Sequence, residues 1–145
     1  MIEPSTIEDA IIARLKAEIA YLKTVDVLAA LLSDESPDFT LLAPAAFVTY
    51  GGGPYKRVGS SSKFDRDMKF NIVIVQRNFN GQRRLLHGDG AKKGVYDVLK
   101  DVRIALTDQA LGLAIWPFTP IDDQPLEATR DVVVWGFSFH TRARG

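Results

Sequence analysis

Residues 68–79 constrain the fold more than any other part of the sequence. Large apolar and polar side chains alternate through the first half of this stretch, the two-residue period that places alternate side chains on one face of a β-sheet. The apolar series is Met68, Phe70, Ile72 and Ile74. Val73 and Val75 make the second half apolar on both faces. The stretch therefore predicts a central strand that enters the sheet from a solvent-exposed end.

Two amphipathic helices are predicted to cover this strand. Apolar residues recur every three or four positions in two regions, which predicts helices over residues 6–20 and about 91–107. Ser5 and Asp89 are the predicted N-caps of these helices. The two apolar series are Ile7, Ile11, Leu15, Ile19 and Leu22 in the first helix, and Val95, Val98, Leu99, Val102 and Leu106 in the second.

The remaining strands are predicted from shorter patterns. Residues 23–28 alternate as in a short strand, whereas residues 28–32 also fit a helical turn. The further strand segments are residues 45–50, 113–118 (at an edge, because of Pro117) and 129–141. Glycine, proline, serine and acidic residues predict a loop at 34–38, a flexible basic loop at 55–63 and a turn at 121–125.

This order of elements predicts one α+β domain over residues 1–145. We expect a mostly antiparallel four- to five-stranded sheet with two helices packed on one face. The 145 residues are 46% hydrophobic and 25% charged, with no apolar run long enough to span a bilayer and no signal-peptide pattern. A soluble protein is therefore expected. The absence of cysteine excludes disulfides and thiolate chemistry and fits a reducing compartment.

Charge is balanced overall but unevenly distributed along the chain. With 18 basic and 18 acidic residues the net charge is zero, so no specific nucleic acid or membrane partner is expected. Residues 1–38 hold eight acids and three bases, whereas residues 55–103 hold twelve bases and five acids. Such a division suits head-to-tail assembly of copies. The alternative is that both signs are mixed on a solvated surface.

Two sequence patterns suggest a chemical function. The glycines at 51–53, followed by Lys56 and Arg57, suggest a phosphate loop, but the Gly-Lys-Ser/Thr of the Walker pattern is absent. Asp65 and Asp67 share a strand face and could hold a metal ion, as in a metal-dependent nuclease, and Asp122-Asp123 could add a third ligand. Solvated charges at a strand end are the favoured interpretation, because no third ligand is identifiable.

Histidines and aromatic residues give no catalytic set either. His87 and His140 are the only histidines and have no metal-ligand spacing. Aromatic side chains on a strand could stack on bases but usually form the core. The aromatic residues predicted as core are Trp116, Trp135, Phe137 and Phe139. The sequence therefore predicts no catalytic residues, no metal site and no cofactor.

Five segments along residues 5–142 match the pattern of one protein family. They are Ile7-Glu8-Asp9-Ala10-Ile11, the strand and glycine run at 44–53, the central strand, Tyr96-Asp97-Val98-Leu99 with Val102-Arg103, and Trp135-Gly136-Phe137-Ser138-Phe139. Together they resemble a small tail protein of Mu-like contractile-tailed bacteriophages and prophages, of the tail-terminator type. The resemblance implies α+β subunits that form a ring, commonly a hexamer, which caps the tail tube and sheath and meets the head–tail connector. It supplies no active-site residues.

The resemblance and the charge distribution together predict a homo-oligomer interface. We expect Lys56, Arg57 and Lys63 of the basic loop to contact Asp34 and Glu35 of a neighbouring copy. The expected partners are copies of the chain, the tail tube and sheath proteins and the connector. The expected location is the virion tail, after assembly in the cytoplasm of the host bacterium. The alternatives are a head–tail neck adaptor and the metal-dependent nuclease.

Overall fold

A computed structural model of the chain describes residues 2–32, 42–77, 86–88 and 93–144. Three helices and six strands are present in these ranges. In chain order they are α1 (Pro4–Glu18), β1 (Thr24–Val27), α2 (Leu28–Leu32), β2 (Ala45–Tyr50), β3 (Tyr55–Arg57), β4 (Phe64–Arg77), α3 (Val95–Leu106), β5 (Thr119–Ala128) and β6 (Val132–Arg144). None of the described helices has the length and apolar character needed to cross a membrane.

The strands form one mixed sheet in the order β1-β2-β4-β6-β5, with β3 beside β4. β1 runs parallel to β2, and the other pairs are antiparallel. The ladder between β4 and β6 extends from the Asp65–Arg144 pair to the Arg77–Val132 pair, so β4 is central as predicted. The α+β class and the mostly antiparallel sheet are confirmed, although the described sheet has six strands instead of four or five.

The main core lies between the sheet and the two long helices. The alternating apolar residues of β4 are fully buried on this face, together with Phe118 and Phe139. Two side-chain contacts hold the N-terminal segment against α3. Arg14 Nε of α1 donates to the Ala105 carbonyl at 3.0 Å, and the hydroxyl of Tyr21, just after α1, donates to the Asp101 carboxylate at 2.5 Å. The prediction that both helices cover one face is confirmed.

The opposite face of the sheet is covered only in part. Leu31 of α2 packs there with Phe47, Val75 and Val134 in a second, smaller apolar cluster. Polar side chains of β4 and β6 occupy the rest of this face, as the half-polar pattern of the last strand indicates. The structure therefore has a helix face and a face that is open over much of its area.

Helix ends differ from the predictions. α1 begins at Pro4, two residues early, and Glu3 at its N-cap makes no side-chain capping bond, so Ser5 is not the cap. Proline fits the first helical position because the amide it lacks would have no partner there. α3 begins at Val95, where the Gly94 amide donates to the Asp97 carboxylate at 3.0 Å. The predicted cap Asp89 lies outside the described residues.

Three predictions for the C-terminal third of the chain are wrong, and one strand begins later than predicted. Residues 113–118 contribute only one isolated bridge, between Ile115 and Ala143. The strand β5 lies instead at 119–128, where a turn was predicted at 121–125. Trp116 is 52% exposed and does not belong to the core, whereas Phe137 and Phe139 are buried as predicted. The closing strand β6 starts at Val132, three residues later than predicted.

Candidate functional site

Residues 55–66 form an exposed β-hairpin, which we call the basic arm. It consists of β3, a turn and the first three residues of β4. In its antiparallel ladder Tyr55 lies opposite Arg66, and Arg57 lies opposite Phe64. All side chains from 55 to 63 are exposed. The prediction of a flexible basic loop at 55–63 is therefore wrong for residues 55–57, which form a strand.

The turn of the basic arm is closed by local hydrogen bonds. The Val58 amide donates to the Lys63 carbonyl at 3.0 Å, and the hydroxyl of Ser61 donates to the Val58 carbonyl at 2.7 Å. Gly59 adopts a φ of 59°, a conformation that glycine reaches without strain. The Gly-Ser composition that suggests a flexible loop thus serves a tight hairpin turn.

Three of the five predicted interface residues lie on this arm. Lys56, Arg57 and Lys63 are exposed, and Arg57 also stacks on the Phe64 ring, with its guanidinium carbon 4.7 Å from the ring centroid. The other two, Asp34 and Glu35, lie outside the described residues, so the predicted contact partner stays a prediction. With four bases and one acid, the arm carries a formal charge of +3.

Arg66 is a further residue of the arm that the sequence reasoning missed. Its guanidinium carbon lies 4.7 Å from the ring centroid of Tyr55 and 5.1 Å from that of Tyr50. Its Nε atom is buried and has no hydrogen-bond acceptor among the described residues. Cation–π contact with two rings holds the planar guanidinium in place. The alternation Tyr55-x-Arg57 and Phe64-x-Arg66 is the signal that would have revealed this stack.

The glycine run joins the arm to the rest of the sheet. The Gly51 amide donates to the Lys69 carbonyl at 2.6 Å, and the Asp67 amide donates to the Pro54 carbonyl at 3.0 Å, so β2 and β3 follow the same side of β4. A Cβ atom on Gly53 would lie 1.7 Å from the Asp67 carbonyl oxygen. The glycines therefore allow close backbone contact. The Gly51 amide is already used within the sheet, which argues against a phosphate-binding loop.

The two carboxylates weighed as metal ligands are each held by an arginine. Arg142 Nε donates to Asp67 at 2.6 Å, and Arg144 Nε donates to Asp65 at 3.3 Å. His140 lies 3.5 Å from the same Asp67 oxygen. The hydrogen bond from Arg142 and its positive charge lower the pKa of Asp67, against the effect of burial. Within the described ranges no three His, Asp or Glu side chains are placed to hold a metal ion.

Two polar side chains of neighbouring strands are hydrogen-bonded on the open face of the sheet. Ser138 Oγ donates to Asn71 Oδ1 at 2.8 Å, and an amide oxygen cannot take the serine proton at neutral pH. Lys69 and Gln124 line the same shallow concavity.

A second charged surface lies along β5, which we call the acidic edge. Every residue of this strand except Pro120 is exposed, and the strand carries Asp122, Asp123 and Glu127 but no basic residue, a formal charge of −3. Ile121 and Leu126 are 51% and 52% exposed. The sequence reasoning missed this surface because prolines and adjacent acids suggested a turn.

The two charged surfaces lie toward opposite edges of the sheet, not on its two faces. β3 pairs with β4 on the side that faces β2, whereas β5 pairs with the outer side of β6. Strands β4 and β6 therefore separate the basic arm from the acidic edge. One subunit presents a +3 surface in one direction and a −3 surface in the other.

The comparison with known proteins identifies the family. The family model described as bacteriophage Mu, Gp37 matches residues 3–141, a range that includes the basic arm, the glycine run and the acidic edge. No curated protein matches the chain significantly. The resemblance to Mu-like phage proteins is confirmed at the family level. The chain thus belongs to the Gp37 family of bacteriophage Mu and is a Mu-like phage structural protein.

Proposed function

We propose that this protein is a tail terminator. In this role copies of the chain form a ring, expected to be a hexamer, that caps the tail tube and sheath and offers a surface to the head–tail connector. The subunit is made in the cytoplasm of the host bacterium and takes its place in the virion tail. The observation that carries the proposal is the pair of oppositely charged surfaces at opposite sides of one sheet.

The physical argument rests on how identical subunits close a ring. A ring needs two different complementary patches on each subunit, because every copy must receive one neighbour and dock on another. The basic arm and the acidic edge meet this requirement in sign and in formal magnitude. Family membership supports the phage context of the proposal. The charged patches support its assembly mode.

A deletion of the gene tests the role directly. A ring that caps the tail tube stops its growth, so we expect lysates of the deletion mutant to contain tails of irregular length that lack a cap and carry no heads. Electron microscopy measures the tail lengths. Uniform, capped tails in the deletion lysate would refute the terminator role.

The same measurement distinguishes a head–tail neck adaptor from a tail terminator. Loss of an adaptor leaves capped tails of normal length beside free heads, so this outcome would replace the terminator assignment with the adaptor.

Complementation with Lys56→Glu/Arg57→Glu is expected to leave tails uncapped, because the arm's positive charge is lost. The matched control is Lys16→Glu/Lys100→Glu, which reverses two exposed lysines on α1 and α3 and should restore tails fully.

A further inference from the structure

We propose that the basic arm of one copy binds the acidic edge of the next copy. The occupant of the exposed β5 surface is thus a second copy of this chain, and the contact repeats around the ring. This inference rests on the proposed ring function and adds the acceptor surface. In this proposal the basic arm binds Asp122, Asp123 and Glu127 of the neighbouring copy, in place of the Asp34 and Glu35 expected from the sequence.

Charge complementarity is the first argument. The arm has a formal charge of +3 and the edge −3, and three bases of the arm and all three acids of the edge are exposed. Lys56 and Lys63 have exposed side chains on the arm, and Asp122 and Glu127 are exposed on the edge. Opposite patches of this kind steer association and fix its register.

The unpaired Nε atom of Arg66 is the second argument. The guanidinium lies over the rings of Tyr50 and Tyr55, and no described residue accepts a hydrogen bond from its buried Nε atom. Buried donors without acceptors are uncommon in folded proteins. A carboxylate from a neighbouring copy is the acceptor that a stacked arginine binds best. The fixed guanidinium would bind it with little loss of side-chain entropy.

Exposed apolar side chains give the third argument. Tyr55 and Val58 of the arm are 58% and 39% exposed, and Ile121 and Leu126 of the edge are about half exposed. Interfaces typically combine a few apolar or aromatic contacts with a charged rim. Each surface therefore offers both components to the other.

The contact is made through side chains and not by adding a strand. Pro120 and Pro125 remove two backbone donors from β5, and proline at an edge prevents a continuous ladder with a further strand. The register of β5 on β6 is also interrupted near Ile121 and Leu126. Both interruptions bring an apolar side chain to the surface of the edge.

The cross-linking experiment uses the absence of cysteine in the chain. The double variant Lys56→Cys/Asp122→Cys is produced as the full chain, incorporated into tails by complementation, and treated with a short bismaleimide. A bismaleimide is preferred because a direct disulfide requires Cα atoms within about 7 Å. We expect a ladder of covalent oligomers ending at one closed species on denaturing gels.

Two matched controls define the contact. Equal mixtures of the single variants Lys56→Cys and Asp122→Cys should give dimers and no higher species, because each copy then carries one thiol. The variant Lys56→Cys/Glu35→Cys tests the alternative acceptor and should give at least tenfold less cross-linked product. Cross-linking to residue 35 and not to residue 122 would overturn the inference.

A charge exchange gives an independent measurement. Lys56→Glu/Arg57→Glu should lower the yield of capped tails at least tenfold, and adding Asp122→Lys/Asp123→Lys in the same chain should recover most of the loss. If the yield of capped tails does not recover while the wild type still forms them, the acidic edge is not the acceptor. The terminator role would be unaffected by that result. Cross-links that stop at a dimer on capped tails would refute the repeating contact. Capped tails in the gene deletion would instead refute the function itself.

Discussion

Arg142 lies directly opposite Asp67 on the neighbouring strand, and its Nε donates to the Asp67 carboxylate at 2.6 Å. The adjacent pair on the same face, Arg144 and Asp65, repeats the arrangement nearer the chain end. These two cross-strand pairs fasten the base of the basic arm to β6. The carboxylates that suggested a metal site from sequence therefore serve to join two strands.

The first prediction concerns Asp67→Asn. Because Arg142 lowers the folded-state pKa of Asp67, the carboxylate stabilises the fold above its unfolded pKa of about 3.9, and this contribution is lost as pH falls through the lower folded pKa. We expect a loss of about 1 kcal/mol in unfolding free energy at pH 7. Urea denaturation at pH 7 and near pH 3 measures it.

The control for this pH effect is Asp122→Asn, an exposed acid with no salt bridge in the described structure. It should change stability by less than about 0.5 kcal/mol at either pH. An Asp67→Asn variant that is as destabilised at pH 3 as at pH 7 would contradict the ion-pair assignment.

The second prediction concerns Gly53→Ala. The added Cβ would meet the Asp67 carbonyl oxygen at 1.7 Å, so the arm must move away from β4. We expect a destabilisation of about 2–3 kcal/mol, of the size that overpacking causes. Ser60→Ala in the exposed turn is the control and should be nearly neutral. Equal stabilities of the two variants in urea would show that the close contact is absent.

The third prediction concerns magnesium. Each candidate carboxylate is bonded by an arginine, so millimolar Mg²⁺ should leave the thermal midpoint unchanged. A bound ion present at a hundred times its dissociation constant would add about 2.7 kcal/mol. Thermal denaturation with and without Mg²⁺ makes the measurement. A rise that Asp65→Asn/Asp67→Asn abolishes would revive the metal-dependent nuclease.

The fourth prediction concerns the contact of Tyr21, which follows α1, with Asp101 of α3. Burial and the hydrogen bond to Asp101 raise the pKa of Tyr21, so its hydroxyl stays protonated and donates at neutral and mildly alkaline pH. Tyr21→Phe should cost about 1–2 kcal/mol. A double-mutant cycle with Asp101→Asn should give a coupling energy of similar size. Additive effects would contradict a direct contact.

Periodic apolar patterns predicted the parts of the fold where burial decides the conformation. Met68 to Ile74 alternate because one face of β4 packs against helices, and α1 and α3 show the helical period for the same reason. In these elements the position of each apolar side chain and its burial agree. The central strand and both long helices were therefore predictable, apart from their end residues.

The edge strands β3 and β5 were not predicted, because their conformation does not depend on burying apolar side chains. β5 is exposed along nearly its whole length, so it shows no apolar alternation, and its prolines and acids resemble a turn. β3 has three exposed residues and follows a glycine run, which suggested a loop. The two charged surfaces lie on these elements. The sequence thus predicted the basic residues of the arm but not the strand that holds them, and it did not predict the acidic edge.

β2 and β3 pair with successive parts of one continuous strand, β4, and this arrangement has a mechanical consequence. β4 passes without a break from the arm into the layer beneath the helices, and its ladder with β6 spans both parts. A pull on the arm along the strand direction would load the hydrogen bonds of this ladder in shear, so that they resist together and do not open one after another. The subunit is therefore built to carry tension from its exposed hairpin straight into its core.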